Sequence, residues 1–267
     1  MAKAATENNR YEAIIENIFI GHYTKGATSI SFARVEIETV AKKLKIELPK
    51  NLGDLIYSFR YRTQLPDSIR KTAAKGNEWI IDASGRAKYA FKQVKINRIV
   101  PRSDLITIKV PDATPEIVLG YAQGDEQALL AKVRYNRLVD IFLGLTTYSL
   151  QNHLRTTVKG KGQIEIDELY VGLDRHGNHY VIPIQAKGGS DQLSVVQTAQ
   201  DLACCKEKFP GLICRALSAQ FMGADRIALF ELTIDDDEVK VVDEKHYKLV
   251  PSKEISSEDL ASYRLRR

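Results

Sequence analysis

Long apolar runs are missing from this 267-residue chain. No stretch approaches the ~18 apolar residues that span a bilayer, which excludes functions built on membrane-spanning helices. The opening MAKAATENNRYEA has no apolar core of a secretory leader, so none is expected. Cysteine is scarce: Cys204, Cys205 and Cys214 form no CxxC pair and no disulfide framework. Reduced, buried thiols and a cytoplasmic setting follow. Internal repeats and low-complexity tracts are absent. Gly160-Lys161-Gly162 and Lys187-Gly188-Gly189-Ser190 both miss the G-x-x-x-x-G-K-[ST] spacing, so no nucleotide cofactor is expected. His176 and His179 have no Cys or further His nearby, and they read as a solvated turn rather than a zinc site.

Positive charge is present, but unevenly. Residues 1–110 carry 20 Lys and Arg against 11 Asp and Glu, a net +9, while the remainder carries 19 against 23, a net −4. A basic N-terminal half points to a polyanionic partner. Ile99 to Gln123 holds three of the eight prolines and little helical periodicity, which divides the chain into domains of about 1–110 and 115–267.

In the first domain a short amphipathic helix near Tyr11–Phe19 precedes two apolar stripes, Ile37, Val40, Ala41, Leu44 and Leu52, Leu55, Ile56, Phe59. Both have helical spacing. Asn51 is placed to cap the second, with Asp54 in its first turn. Two β-like runs, Glu78–Asp82 and Lys88–Val94, flank ASGRA as a hairpin. Helix, turn, helix and hairpin is the order of a winged helix-turn-helix, which reads double-stranded DNA through a groove helix. Tyr57, Arg60, Tyr61 and Arg62 lie off the apolar stripe as candidates for base and phosphate contacts, and Arg86, Lys88 and Lys92 would serve on the wing.

The second domain opens with GDEQALLAKVRYNRLVDIFLG, read as one long buried helix with Glu126 in its first turn. Strand-like runs follow at 147–158, 163–172 and 179–187, then a helix at 191–208, then further strands. This is an α/β domain with a mixed sheet flanked by helices.

Within it, residues 162–189 carry the chemistry. If the DRHGN loop is symmetric about His176, paired residue numbers sum to 352. Asp167 then opposes Gln185, and Glu165 opposes Lys187. Strict alternation would put all four on one face with Leu169, Val171, Val181 and Pro183, leaving Glu168 among the apolar groups of the other. A carboxylate with an amide oxygen binds a hard cation such as Mg²⁺, and a nearby ammonium serves a phosphodiester's developing negative charge.

Asp167, followed after a hairpin by Gln185-Ala186-Lys187, resembles the signature of the PD-(D/E)XK nuclease superfamily, which includes most type II restriction endonucleases. The resemblance covers residues 120–220. It implies a restriction-endonuclease-like sheet with the signature hairpin between two helices, Asp167 as the metal-bridging acid, Lys187 as the catalytic lysine and Mg²⁺ as the cation. Gln185 stands where the second acid usually lies, a Q-x-K variant. That departure removes a negative charge, for which Glu165 or Glu126 would compensate. The expectation is a site-specific, double-strand DNA endonuclease acting as a homodimer. Its rivals are a junction-resolving or repair nuclease and a non-catalytic DNA-binding regulator.

Overall fold

The computed structural model describes residues 2–61, 63–85, 87–95, 99–121, 126–187, 195–223, 225–235 and 238–264, without the side chains of 2–10, 61 and 195. The chain forms two units, Met1–Ile96 with Lys159–Gly162, and Asn97–Val158 with Gln163–Arg267. Among the described residues no helix is long and apolar enough to cross a membrane.

The first unit runs α1 (Ala2–His22), β1 (Ser29–Ala33), α2 (Arg34–Leu44), α3 (Leu52–Tyr61), α4 (Asp67–Arg70), β2 (Asn77–Gly85) and β3 (Lys88–Lys95). The two apolar stripes become α2 and α3. Asn51 caps α3, its side-chain oxygen accepting the Gly53 N–H at 3.0 Å. β2 and β3 pair antiparallel, and β1 adds to β3 to give the order β1-β3-β2. β1 and α4 were not anticipated; each is five residues or shorter, too brief for periodicity to mark. Ile14, Ile18 and Phe19 of α1 close the core over Ile37, Leu55, Phe59 and the sheet, with Phe19 edge-on to Trp79 and Phe91 at 5.1 Å.

The second unit begins at β4 (Thr107–Pro111), followed by α5 (Glu116–Tyr121), α6 (Glu126–Tyr135), α7 (Leu138–Leu143), β5 (Thr146–Val158), β6 (Gly162–Leu173) and β7 (His179–Lys187). Then come α8 (Val195–Lys208), β8 (Ile213–Cys214), β9 (Ala216–Met222), β10 (Arg226–Asp235), β11 (Glu238–Val250) and α9 (Ser257–Arg264). They build a mixed sheet ordered β4-β11-β10-β9-β7-β6-β5, with β8 beside β7. β7 lies parallel to β9, and β4 parallel to β11.

Two expectations change here. The segment read as the tail of the first domain belongs to the second unit, because β4 joins the large sheet through β11 and Val110 enters its core. The single long helix is two, since Arg137 takes a left-handed conformation (φ 48°) between α6 and α7. Buried Asn136 fixes that break, its amide donating to Lys132 O and Thr114 Oγ1.

The sheet is covered on both sides. Leu129, Leu130 and Val133 of α6 and Leu138 and Val139 of α7 pack with Tyr170, Ile182, Ile184 and Ala186. Cys204 and Cys205 of α8 pack with Ile164, Ile166, Leu169 and Val181. Burying each large aliphatic side chain contributes about 1.5–3 kcal/mol. These two layers clamp the β6–β7 hairpin in place.

Candidate active site

β6 and β7 pair antiparallel from Leu173–His179 to Glu168–Ile184, every pair summing to 352. That is the register expected from a hairpin symmetric about His176. Among the described residues the ladder stops at Glu168. β7 continues alone against β9, through Gln185–Ser218 and Lys187–Gln220. The two strands of the hairpin therefore part as a fork, and the expected site residues stand in its opening.

The fork overturns the face assignment. Ile164 and Ile166 pack on the α8 side with Leu169 and Val181, whereas strict alternation assigned them to the opposite layer. The change of layer along β6 falls between Ile166 and Leu169: Ile164, Ile166 and Leu169 share one cluster, while Tyr170 joins the other. Once a ladder ends, neighbouring pairs no longer impose the pleat, so the two halves of β6 need not share a phase. Glu165, Asp167, Gln185 and Lys187 are thus not four neighbours on one face.

Asp167 sits at the branch point. Its Oδ2 accepts the Ala186 N–H at 2.9 Å, which fills the position a β6 backbone group would otherwise occupy. Burial pushes the Asp167 carboxyl above the usual carboxylate range; the Ala186 N–H and the Lys187 ammonium oppose the shift, while the charges of Glu126 and Glu165 add to it. Lys187, Glu126 and Glu165 are therefore close enough for Asp167 to feel their charge. Lys187 is half-buried at the end of β7, and Glu126 is half-buried at the start of α6.

Gln185 does not present its amide outward. It is 1% exposed, and its Nε2 donates to both oxygens of Asp201 and to the Glu165 carbonyl, each at 3.1 Å. The expectation that Gln185 offers a ligand from the strand face is corrected by this commitment toward α8. Glu165 is engaged as well, with Arg155 Nε at 3.2 Å and His153 Nδ1 at 3.3 Å, both on β5. Glu168 is fully buried and accepts from Arg134 Nε and Ser149 Oγ, at 2.7 and 2.6 Å, a structural role in keeping with its apolar surroundings. Among the described residues no three His, Cys, Asp or Glu side chains converge closely enough to hold an ion between them.

Asp201 escaped the sequence reading. It lies on α8, 2% exposed, and burial holds its carboxyl well above the usual range, with the Gln185 hydrogen bond opposing and the Asp167 charge adding. A signal existed: Thr198, Asp201, Cys204 and Cys205 form one buried helical stripe, in which a lone acid is out of place.

In the first unit Arg60 is corrected. Only 6% of its side chain is exposed, and it lies 3.8 Å from buried Asp82 rather than facing a groove. Lys92 also pairs with Asp82, at 3.0 Å, yet remains 43% exposed. Lys88 is exposed and Tyr57 half-buried. Tyr61 belongs to α3, but its side chain lies outside the described residues, as do Arg62 and Arg86. Comparison of the whole chain with protein-family models, curated proteins and solved structures returns no match.

Proposed function

We propose that this chain is a Mg²⁺-dependent endonuclease for double-stranded DNA, of the type II restriction kind, working as a homodimer. One observation carries the reading: where two paired strands fork, the half-buried Asp167 carboxyl is held by the Ala186 N–H and feels the charges of Lys187 and Glu126. Support comes from the position of that hairpin, between the α6–α7 pair and α8, as the superfamily resemblance implies. The first unit supports a DNA-reading role through its element order, helix, turn, helix and hairpin, with a third strand beside the hairpin.

The donor set suits the cation. Mg²⁺ is usually held by one or two carboxylates, its remaining positions going to water and substrate phosphate. Asp167 and Glu126 are the acids that would hold it, and Gln185 and Glu165 are otherwise engaged. When bound, the ion polarises the phosphoryl oxygens and acidifies a water. The protein's own part is to keep Asp167 fixed by the Ala186 N–H and to aim Lys187 at charge that develops on the phosphate. At half-buried groups such as these, charge–charge attraction is stronger than at an open surface. Two copies related by a two-fold axis would cut both strands of a palindromic site.

A second reading is favoured by the engagement of Gln185 with Asp201 and of Glu165 with Arg155: a DNA-binding regulator whose second unit is not catalytic. Incubating the protein with plasmid DNA and Mg²⁺, beside Lys187→Ala, tests both. Discrete fragments from the parent alone support restriction. Intact plasmid with sequence-specific binding supports the regulator, and cutting confined to branched DNA supports a resolvase.

A further inference from the structure

The strands part at Glu168–Ile184, and one side chain bridges the opening. Gln185 of β7 reaches the Glu165 carbonyl of β6 and the Asp201 carboxyl of α8 with the same Nε2. Both Gln185 and Asp201 are almost fully buried. We propose that Gln185 and Asp201 form a strut that holds the fork at its working width, and that the acid on α8 is the reason position 185 carries an amide.

The chemistry of the three partners fixes the choice. The Glu165 backbone carbonyl can only accept, so a side chain at position 185 that bridges to it must donate. An amide does. A carboxylate does not, and Gln185→Glu would bring a second acid against Asp201 with water excluded. The loss is asymmetric. After Asp201→Asn alone, the new amide still offers an oxygen to Gln185 Nε2. When both positions change, that amide can instead donate to the new carboxylate across the same gap, restoring the link to α8 though not the one to the Glu165 carbonyl. Through its neighbours the strut sets the chemistry: Ala186, whose N–H fixes Asp167, follows Gln185 directly, and Lys187 is one residue further. Gln185 and Asp201 are positioning residues in this scheme. Its catalytic consequence rests on the nuclease reading; its structural content does not.

A double-mutant cycle tests it, with Gln185→Glu, Asp201→Asn and the pair together, by thermal unfolding and by plasmid cutting in Mg²⁺. Q185E is expected to lower Tm by roughly 5 °C and D201N by less than about 2 °C, with the pair regaining at least half of the Q185E loss. Cutting should fall about 100-fold in Q185E and recover about tenfold in the pair, while DNA affinity measured without Mg²⁺ stays within about threefold of the parent. Additive Tm changes, or a Q185E protein as stable as the parent, would overturn the strut. If Q185E does not fold, Gln185→Met with Asp201→Leu replaces it. Each single change then leaves a buried polar group unpaired, and the pair should recover, since removing both partners is far milder than removing one. A parent that cuts no DNA defeats the nuclease reading alone, because the unfolding cycle still decides the strut.

Discussion

The Asp167 carboxylate accepts the Ala186 N–H at 2.9 Å, just past the last pair of the β6–β7 ladder. The bond holds the acid at the fork, and burial with neighbouring negative charge makes that position costly for the ionised form. Charge and hydrogen bond can be separated by Asp167→Asn, whose amide oxygen still accepts the Ala186 N–H. Cutting is expected to drop about 1000-fold or more, with Tm equal to or above the parent's. Thermal melts beside a plasmid assay check this, and a lower Tm in D167N would show that the charge itself stabilises the fork.

Glu126 opens α6, and its negative charge acts on Asp167. If it helps hold the cation, Glu126→Gln should raise the Mg²⁺ concentration for half-maximal cutting by about tenfold or more, with the lost rate recovered at high Mg²⁺. A rate loss that no Mg²⁺ concentration repairs would assign Glu126 to another task. Mg²⁺ titrations of the two proteins on one DNA substrate make the comparison.

The hairpin register was legible in the sequence because a compact loop and alternating apolar residues leave few pairings that bury the right face. The phase shift at Ile166 was not, since alternation is informative only where a ladder enforces it. Arg60 misled for a related reason. A helical wheel shows that it leaves the apolar stripe, but not that Asp82, on a strand more than twenty residues later, waits to pair with it. Asp201 was hidden because α8 is polar on several sides, and only its neighbours Cys204 and Cys205 marked the buried stripe. Local pattern thus located the elements and the register, whereas the long-range polar partners needed the fold.

The hairpin loop offers a pH test away from the proposed site. Asp174 Oδ1 accepts the His176 and Asn178 N–H groups at 2.8 and 3.0 Å, and Oδ2 accepts Asn178 Nδ2 and the Tyr180 hydroxyl at 2.8 and 3.1 Å. The side-chain hydrogen bond from Asn178 is foremost in pulling its pKa down to about 2. The unfolded value is about 3.9. A lowered pKa contributes stability that is complete above the unfolded value and disappears as pH falls toward the folded one. The urea midpoint of Asp174→Ala should therefore lie below the parent's at pH 7, and the gap should shrink between about pH 4 and 2. A constant gap across that window would assign the effect to the turn geometry rather than the charge.

Arg60 and Lys88 were both candidates for DNA contact, and their surroundings now predict opposite outcomes. Arg60 is packed beside buried Asp82, which keeps Lys92 as its other partner. Arg60→Ala should cost about 1–3 kcal/mol of stability, because it removes packing and half of the compensation for a buried charge. DNA affinity of the folded fraction should then change little. Lys88 is exposed at the start of β3, so its truncation should leave the melting temperature close to the parent's. If β2 and β3 form a wing against DNA, Lys88→Ala should weaken binding to all sequences alike and reduce the slope of log K against log salt by about 1. Fluorescence anisotropy over a salt series, with a thermal melt of each variant, separates the two. An unchanged salt slope in K88A would remove that residue from the interface, and a stable R60A with lost DNA binding would return Arg60 to it.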